Sequence, residues 1–303
     1  MFEVRHELLQ SMLRGQDIQR PYPIEEEYPL VLSRHGAEYS ICVQEGGRLL
    51  AHANFFPRTV SKESQTYRLA LIGNVATHPD YQRRGLMRSL FAQLETKAVE
   101  EKLHALLLWS DLSSFYQKLG FRSFGQELRF TYTKQSLVSS PHFNCFWKFV
   151  DHETVQDLSC LLSLRAQRGY TLDRSLKDFR TLLQIPDTAL MMARDDKGDI
   201  QAYAVLGKGC DMLGVVHEWG ATDPRVLLSC LSWLFSMNAI PHLLLLCPQN
   251  LDVDILDFFS TFATGVEKHP LVLAKILPLG ASSSLFLQES FENNFFIWGL
   301  DGI

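Results

Sequence analysis

The sequence predicts a mixed α/β protein in which one succession of strands and helices is used twice. Three observations carry this. Apolar runs of strand length alternate with amphipathic helical stretches along all 303 residues. The order of elements before Val138 recurs, with little shared sequence, after it. The length suits two domains of about 150 residues, each able to hold its own core.

Each element has its own signal. Gln10 to Gln19 reads as a helix, and Tyr22 to Pro29, with prolines at 21, 23 and 29, as an irregular connector. Tyr39 to Gln44 and Leu49 to Phe55 are strand-like, joined by the hairpin signal Glu45-Gly46-Gly47-Arg48. Leu69 to Thr77 is a strand ending at His78-Pro79-Asp80. From Gly85 a helix follows, with Leu86, Leu90, Leu94 and Ala98 on one stripe. Leu103 to Trp109 is nearly continuous in apolar residues, as a strand buried on both faces would be. Leu112 to Leu119 reads as a short helix stopped by Gly120, and Phe121 to Tyr132 as extended chain.

Val138-Ser139-Ser140-Pro141 is a polar break and divides the chain into expected domains 1–138 and 139–303. Beyond it, Phe146 to Val150 is a strand, and Thr154 to Ala166 and Asp173 to Leu183 are helices. Ala189 to Arg194 and Gln201 to Leu206 form a hairpin, and Gly207-Lys-Gly-Cys a turn. Val215 to Trp219 is a strand, Pro224 to Met237 a helix, Leu243 to Cys247 a strand and Ile255 to Phe262 a helix. The run Phe295 to Ile303 is too apolar for a solvated tail, so a docked final strand or tail is expected.

Composition narrows the partners. A net charge of −5 and a pI near 6.1 argue against a nucleic-acid binder. No apolar stretch approaches the ~20 residues of a membrane span, and the first residues lack a leader pattern, so a cytoplasmic location is expected. The six cysteines show no CxxC and read as free thiols, mostly buried. No metal is expected: the His-Glu pairs at 6–7, 152–153 and 217–218 are followed by Gln10, Gln156 and Ala221 where a zinc HExxH motif needs His. GxSxG, Walker A and GxGxxG motifs are absent.

The stretch Gly73-Asn-Val-Ala-Thr-His-Pro-Asp-Tyr-Gln-Arg-Arg-Gly-Leu-Met-Arg carries the chemistry. It is a strand, a short basic loop and a helix N-terminus, where unpaired N–H groups and the helix dipole favour an anion. Gly85 lets the backbone approach a ligand, and Arg83, Arg84 and Arg88 surround it with positive charge, as a pyrophosphate site requires. A solvated basic turn would share the arginines but not the strand before them or the amphipathic helix after.

This stretch resembles the GNAT acetyltransferases, whose Gln/Arg-x-x-Gly-x-Gly/Ala signature is met by Gln82-Arg83-Arg84-Gly85-Leu86, with Met87 departing at the last position. The Met there is similar to the enhanced-intracellular-survival type, which has more than one GNAT-like lobe. A second family element is matched by Phe115-Tyr116-Gln117-Lys118-Leu119-Gly120-Phe121. The resemblance covers residues 35 to 130 well and the second half in outline, implying tandem GNAT-like folds with the second degenerate.

The resemblance implies acetyl-CoA as cosubstrate and a primary amine, on a small molecule or peptide, as acceptor. It places Val75, Ala76 and Thr77 along the pantetheine arm. Gln82, Arg83, Arg84, Gly85, Leu86, Met87 and Arg88 would lie around the pyrophosphate. Tyr116 would protonate the leaving thiolate, a role suited to a neutral phenol; a core aromatic is the alternative. No internal residue is clearly the base. Glu26, Glu27, His52, Asp111, His217 and Glu218 are candidates for the base or the acceptor site. In the enhanced-intracellular-survival type the terminal carboxylate is the base, which would make Ile303 that group and Asp301 the runner-up. In the second half, Ala221-Thr222-Asp223-Pro224-Arg225 lacks the glycine and sets an Asp against any phosphate, so one CoA site is expected. A non-catalytic acyl-CoA-binding module and a transferase of longer acyl groups are the rival readings.

Overall fold

The computed structural model describes residue 9 and residues 22–62, 65–151, 157–165, 170–237, 240–278 and 292–303. The predicted helix Gln10 to Gln19 lies outside them, as do His152, Glu153 and the start of the helix expected from Thr154.

Two short helices, α1 (Ile24–Glu27) and α2 (Pro29–Leu32), lead into β1 (Ser40–Glu45), β2 (Arg48–Lys62) and β3 (Gln65–Thr77). Helix α3 (Leu86–Glu100), β4 (Ala105–Leu108), α4 (Ser113–Gln117) and β5 (Arg122–Tyr132) complete the first half. The second half follows with β6 (Phe146–Phe149), α5 (Leu158–Leu164), β7 (Thr171–Leu172), α6 (Leu176–Leu182), β8 (Ala189–Arg194) and β9 (Ile200–Leu206). Then come β10 (Val215–Ala221), α7 (Leu227–Met237), β11 (Leu243–Pro248), α8 (Val253–Phe262), β12 (Gly265–Ile276) and α9 (Glu292–Asn294).

All strands join one sheet in the order β1-β2-β3-β4-β12-β5-β11-β10-β9-β8-β6, with β7 beside β2. From β1 to β8 the pairings read antiparallel, antiparallel, parallel, antiparallel, antiparallel, antiparallel, parallel, antiparallel, antiparallel. That series is the same from either end, so the two halves share one mixed α/β strand arrangement, as the expected tandem folds require. They are not separate sheets. Strand β5, from the first half, pairs with β11, and β12, from the second, pairs with β4.

Strand β12 is absent from the sequence reading because its first half is polar (Glu267, Lys268, His269) and Pro270 interrupts it. The pairing resolves this: Pro270 faces Gln126 of β5, while β4 meets β12 only from Leu273 onward. A proline tolerates a strand where its nitrogen side needs no ladder partner. Likewise β2 runs through Pro57, beyond the predicted end at Phe55, because β1 leaves β2 at Asn54 and β7 joins it only at Val60.

In β3 and β4 neighbouring residues face opposite cores. Leu69, Leu71, Ala105 and Leu107 belong to one buried cluster, and Ala70, Ile72, Leu106 and Leu108 to another that takes Leu90, Phe91, Leu94 and Ala98 of α3. Burial on both sides accounts for the unbroken apolar run of β4. It also fixes α3 over the strands that form the site.

Candidate active site

Strands β3 and β4 pair in parallel only from Leu69↔Ala105 to Leu71↔Leu107. They then separate, and a bulge does the separating. Between His52↔Ala76 and Asn54↔Gly73, β3 carries one residue more than β2, and Asn74 takes φ 48°. Asn74 Nδ2 donates to Asn54 Oδ1 at 2.9 Å, and His52 Nδ1 donates to the Asn74 carbonyl at 2.9 Å. Beyond Leu71 the edge of β3 toward β4 is therefore free of ladder bonds, which leaves a wedge in the sheet.

Helix α3 points its N-terminus at this wedge. Gly85 is the N-cap at φ 80°, with no side chain capping the turn, and Arg83 before it also has a positive φ of 62°. The first bond of the helix runs from Ser89 N–H to Gly85 O at 3.1 Å. The N–H groups of Leu86, Met87 and Arg88 thus precede the ladder. Arg84 stacks on Tyr81 at 4.7 Å and donates to the Asp80 carbonyl at 3.1 Å, while Arg83 and Arg88 are exposed. A cleft of about 640 Å³ runs along Val75, Ala76 and Thr77, past Gln82, Arg83, Gly85, Leu86, Met87 and Arg88, to Tyr116. The structure thus brings together the predicted cofactor residues, with Arg84 turned aside onto Tyr81.

Tyr116 lies where this cleft meets a second one of about 630 Å³; Val75, Leu112 and Tyr116 line both. Its ring packs against Phe91, Phe115 and Phe121. Burial raises the phenol pKa, against a hydrogen bond with Ser110 that lowers it, so the hydroxyl keeps its proton at neutral pH.

The second cleft is walled by residues of both halves, among them Tyr28, Trp109, Glu127, Lys208, Asp211 and Trp298. Tyr28 donates to Asp211 Oδ2 at 3.0 Å and Arg129 Nε to Glu127 Oε1 at 2.8 Å. Ile303 closes one side. It lies so near Gly73 that a Cβ there would stand 2.5 Å from the Ile303 oxygen. Of the residues lining this cleft, the sequence singles out Tyr116 and Ile303 but not Glu127, Lys208 and Asp211, which sit singly in unremarkable strand and loop contexts.

The tail from Phe295 to Ile303 is docked, as expected, but not as a strand. The Phe296 and Trp298 rings meet edge to face at 4.8 Å, and Trp298 meets Trp219 of β10 at 5.2 Å. Asp301 is held by Arg174, with Nε to Oδ1 at 3.0 Å and a second contact at 2.8 Å, and by Arg165 at 3.4 Å. Burial would raise its pKa, but Arg174 and Arg165 outweigh burial and hold it below the ordinary value. Asp301 is thereby tied into an anchor away from the cleft and does not fit the part of runner-up base.

Other candidates are also placed elsewhere. Glu218 is clasped by Arg174 at 2.7 and 2.8 Å and accepts from Tyr203 at 3.0 Å. His217 donates from Nε2 to the Gly207 carbonyl at 2.8 Å, and burial lowers its pKa to about 4. This pair is interior structure and lines neither cleft. His52 pins the β3 bulge. Glu27 is buried in α1 and accepts from the Cys210 N–H at 3.2 Å, while Glu26 and Asp111 are exposed outside the cleft walls.

The second half repeats the wedge and then fills it. Strands β10 and β11 pair only at Val215↔Leu244 and Val216↔Leu245, and β10 bulges at His217. The Trp219 indole donates across to the Leu246 carbonyl at 2.9 Å. Gly220, paired with Tyr203 of β9, also bridges Arg165, and a Cβ on it would meet the Leu164 backbone at 2.3 Å. The following turn is capped by its own Asp223, which accepts from Arg225 N–H at 3.1 Å and pairs with the Arg225 side chain at 2.9 Å. The edge, the wedge and the turn that are open in the first half are all occupied in the second.

Residues 9–124 match the acetyltransferase (GNAT) domain family. The whole chain is similar in fold to a probable N-acyltransferase from Enterococcus faecalis V583, at 16% identity and a TM-score of 0.71, covering 94% of this chain and 71% of that one. Eis1 from Mycobacterium abscessus is similar at 12% identity and TM-score 0.58, over 90% of this chain and 71% of Eis1. Saccharomyces cerevisiae N-myristoyltransferase, solved with myristoyl-CoA, is similar at 11% and 0.55, over 91% and 76%. No curated protein matches by sequence. Among the described residues, no helix is long and apolar enough to cross a membrane, and no group of His, Cys, Asp and Glu is arranged to hold a metal ion.

Proposed function

We propose that the chain transfers an acetyl group from acetyl-CoA to a primary amine, both reactants being bound at once. The observation that carries this reading is the position of Tyr116, at the junction of two clefts, one suited to an anionic cosubstrate and the other to an amine. Residues 1–138 carry the cosubstrate site, and residues 139–303 shape the acceptor cleft.

The pyrophosphate fits the uncapped start of α3, where the amides of Leu86, Met87 and Arg88 and the positive φ of Gly85 provide a concave set of donors. The side chains of Gln82, Arg83 and Arg88 flank it, and the free edge of Val75 to Thr77 pairs with the pantetheine arm. The acceptor enters past Glu127 and Asp211, whose carboxylates favour a cation, between Trp109 and Trp298. The amine attacks the thioester carbonyl, a C–N bond forms and the C–S bond breaks. The Tyr116 hydroxyl gives its proton to the departing sulfur, and the Ile303 carboxylate takes the proton leaving nitrogen. Holding both partners beside these groups supplies much of the rate gain. The reading requires Ile303 to be the last residue of the working protein; an intact mass that shows residues beyond it would overturn this role.

The test is a panel of small-molecule and peptide amines with acetyl-CoA, read by free thiol release. Release that depends on an amine and is lost in Tyr116→Phe supports the transferase. Cosubstrate binding with no turnover on a broad panel would replace it with a binding module. The apolar walls of the second cleft, Ile24, Leu108, Leu112 and Ile297, favour a second reading, in which a longer acyl group is transferred; a series of acyl-CoA chain lengths separates the two.

A further inference from the structure

The turn between β9 and β10 carries Lys208, whose side chain folds inward and is 7% exposed. Positive φ angles at Gly207 (75°) and Gly209 (51°) bend the turn. It is braced by Gly207 N–H on the Val215 carbonyl, Gly209 N–H on that of Pro186, and Cys210 N–H on Glu27 of α1. From this rigid base, Nζ donates to the carbonyls of Gly299 at 2.9 Å, Leu300 at 3.4 Å and Gly302 at 2.5 Å. An ammonium has three N–H donors and no acceptor, and here it meets three carbonyls of one turn. Burial lowers its pKa to about 8, while Asp301, Asp211 and Glu218 support the charge, so the group is largely protonated at neutral pH.

The neighbouring ion pairs do a different job. Arg174 and Arg165 grip the Asp301 side chain, not the backbone on either side of it. Lys208 grips backbone on both sides of Asp301, next to the residue that touches Gly73. We propose that Lys208 is a positioning residue of the acceptor cleft: by gathering the carbonyls of Gly299, Leu300 and Gly302 it holds Ile303 against β3. The effect on turnover rests on the reading that the Ile303 carboxylate receives the amine proton; the grip on the tail does not.

The test is Lys208→Met in the full chain, with two readouts. Amide hydrogen exchange over residues 299–303 should quicken by about tenfold or more, the scale of losing charge-assisted bonds. In parallel kcat should fall by roughly tenfold or more, with the KM for acetyl-CoA within about twofold of wild type. Unchanged exchange overturns the proposal whatever the kinetics show. Faster exchange with full kcat upholds the grip on the tail and rejects the carboxylate reading instead. Should the variant not fold, lysine-selective 15N NMR of the wild type decides. A slowly exchanging ammonium that vanishes when residues 299–303 are deleted is expected, and the absence of any such signal overturns the proposal.

Discussion

Gly73→Ala is the smallest change that bears on the geometry of the two clefts. Gly73 is not among the residues with positive φ, so its backbone accepts alanine. The difficulty is space: the new Cβ would lie 2.5 Å from the Ile303 oxygen, 2.6 Å from its carbonyl carbon and 2.9 Å from Cγ1. Carbon and oxygen settle near 3.5 Å, so the end of the tail must retreat by about 1 Å. A displacement of that size at a reacting group costs on the order of 10²-fold in rate. Crowding of this kind typically costs about 1–3 kcal/mol of stability, and a thermal melt checks that the variant is folded. The assay is steady-state thiol release with both substrates varied. A fall in kcat near 10²-fold with an unchanged KM for acetyl-CoA is expected. Full kcat in a folded variant would refute the reasoning, and a rise only in the acceptor KM would make Gly73 a substrate contact.

Three further outcomes follow from the same geometry. Tyr116→Phe should leave acetyl-CoA affinity nearly unchanged and lower kcat by roughly 10²-fold or more; unchanged kcat, with chemistry rate-limiting, would mean another group protonates the thiolate. Arg174→Met leaves Glu218 buried without its guanidinium and Asp301 with Arg165 alone, so denaturant unfolding should show a loss of about 3–5 kcal/mol, and a loss under 1 kcal/mol would mean the anchor is not structural. Asp301 has a folded-state pKa below its unfolded value, so its contribution is complete above about pH 4 and disappears as pH falls through the folded value. Asp301→Asn should remove that part of the acid dependence, and an unaltered stability profile below pH 4 would contradict it.

Much of the first half was legible in the sequence because its signals are local. The helix stripe of α3, the double-sided burial of β4 and the Gln82-Arg83-Arg84-Gly85 turn each lie within a few residues. The family resemblance carried by these segments implied that Val75, Gly85 and Tyr116 share one site, and the structure sets all three along one cleft. What escaped the sequence is long-range. Nothing near Gly265 announces that β12 will enter the sheet between β4 and β5, since its polar start and Pro270 are acceptable only against those partners. Glu27 reads as part of an acidic run, yet its partner is a turn from the other half. His217-Glu218 looks like chemistry until Arg174, 44 positions before Glu218, neutralises the glutamate. Lys208 has no local signal at all; its three acceptors are 91 to 94 positions away.

One wedge of this doubled sheet is proposed to bind the cosubstrate, whereas the other is filled by the chain itself. Calorimetric titration with acetyl-CoA tests it most directly, on the wild type and on Gly85→Asp, which sets a carboxylate where the pyrophosphate would lie. One site per chain is expected in the wild type, and none in a Gly85→Asp protein that remains folded. Two equivalent sites, or unchanged affinity in the variant, would contradict it.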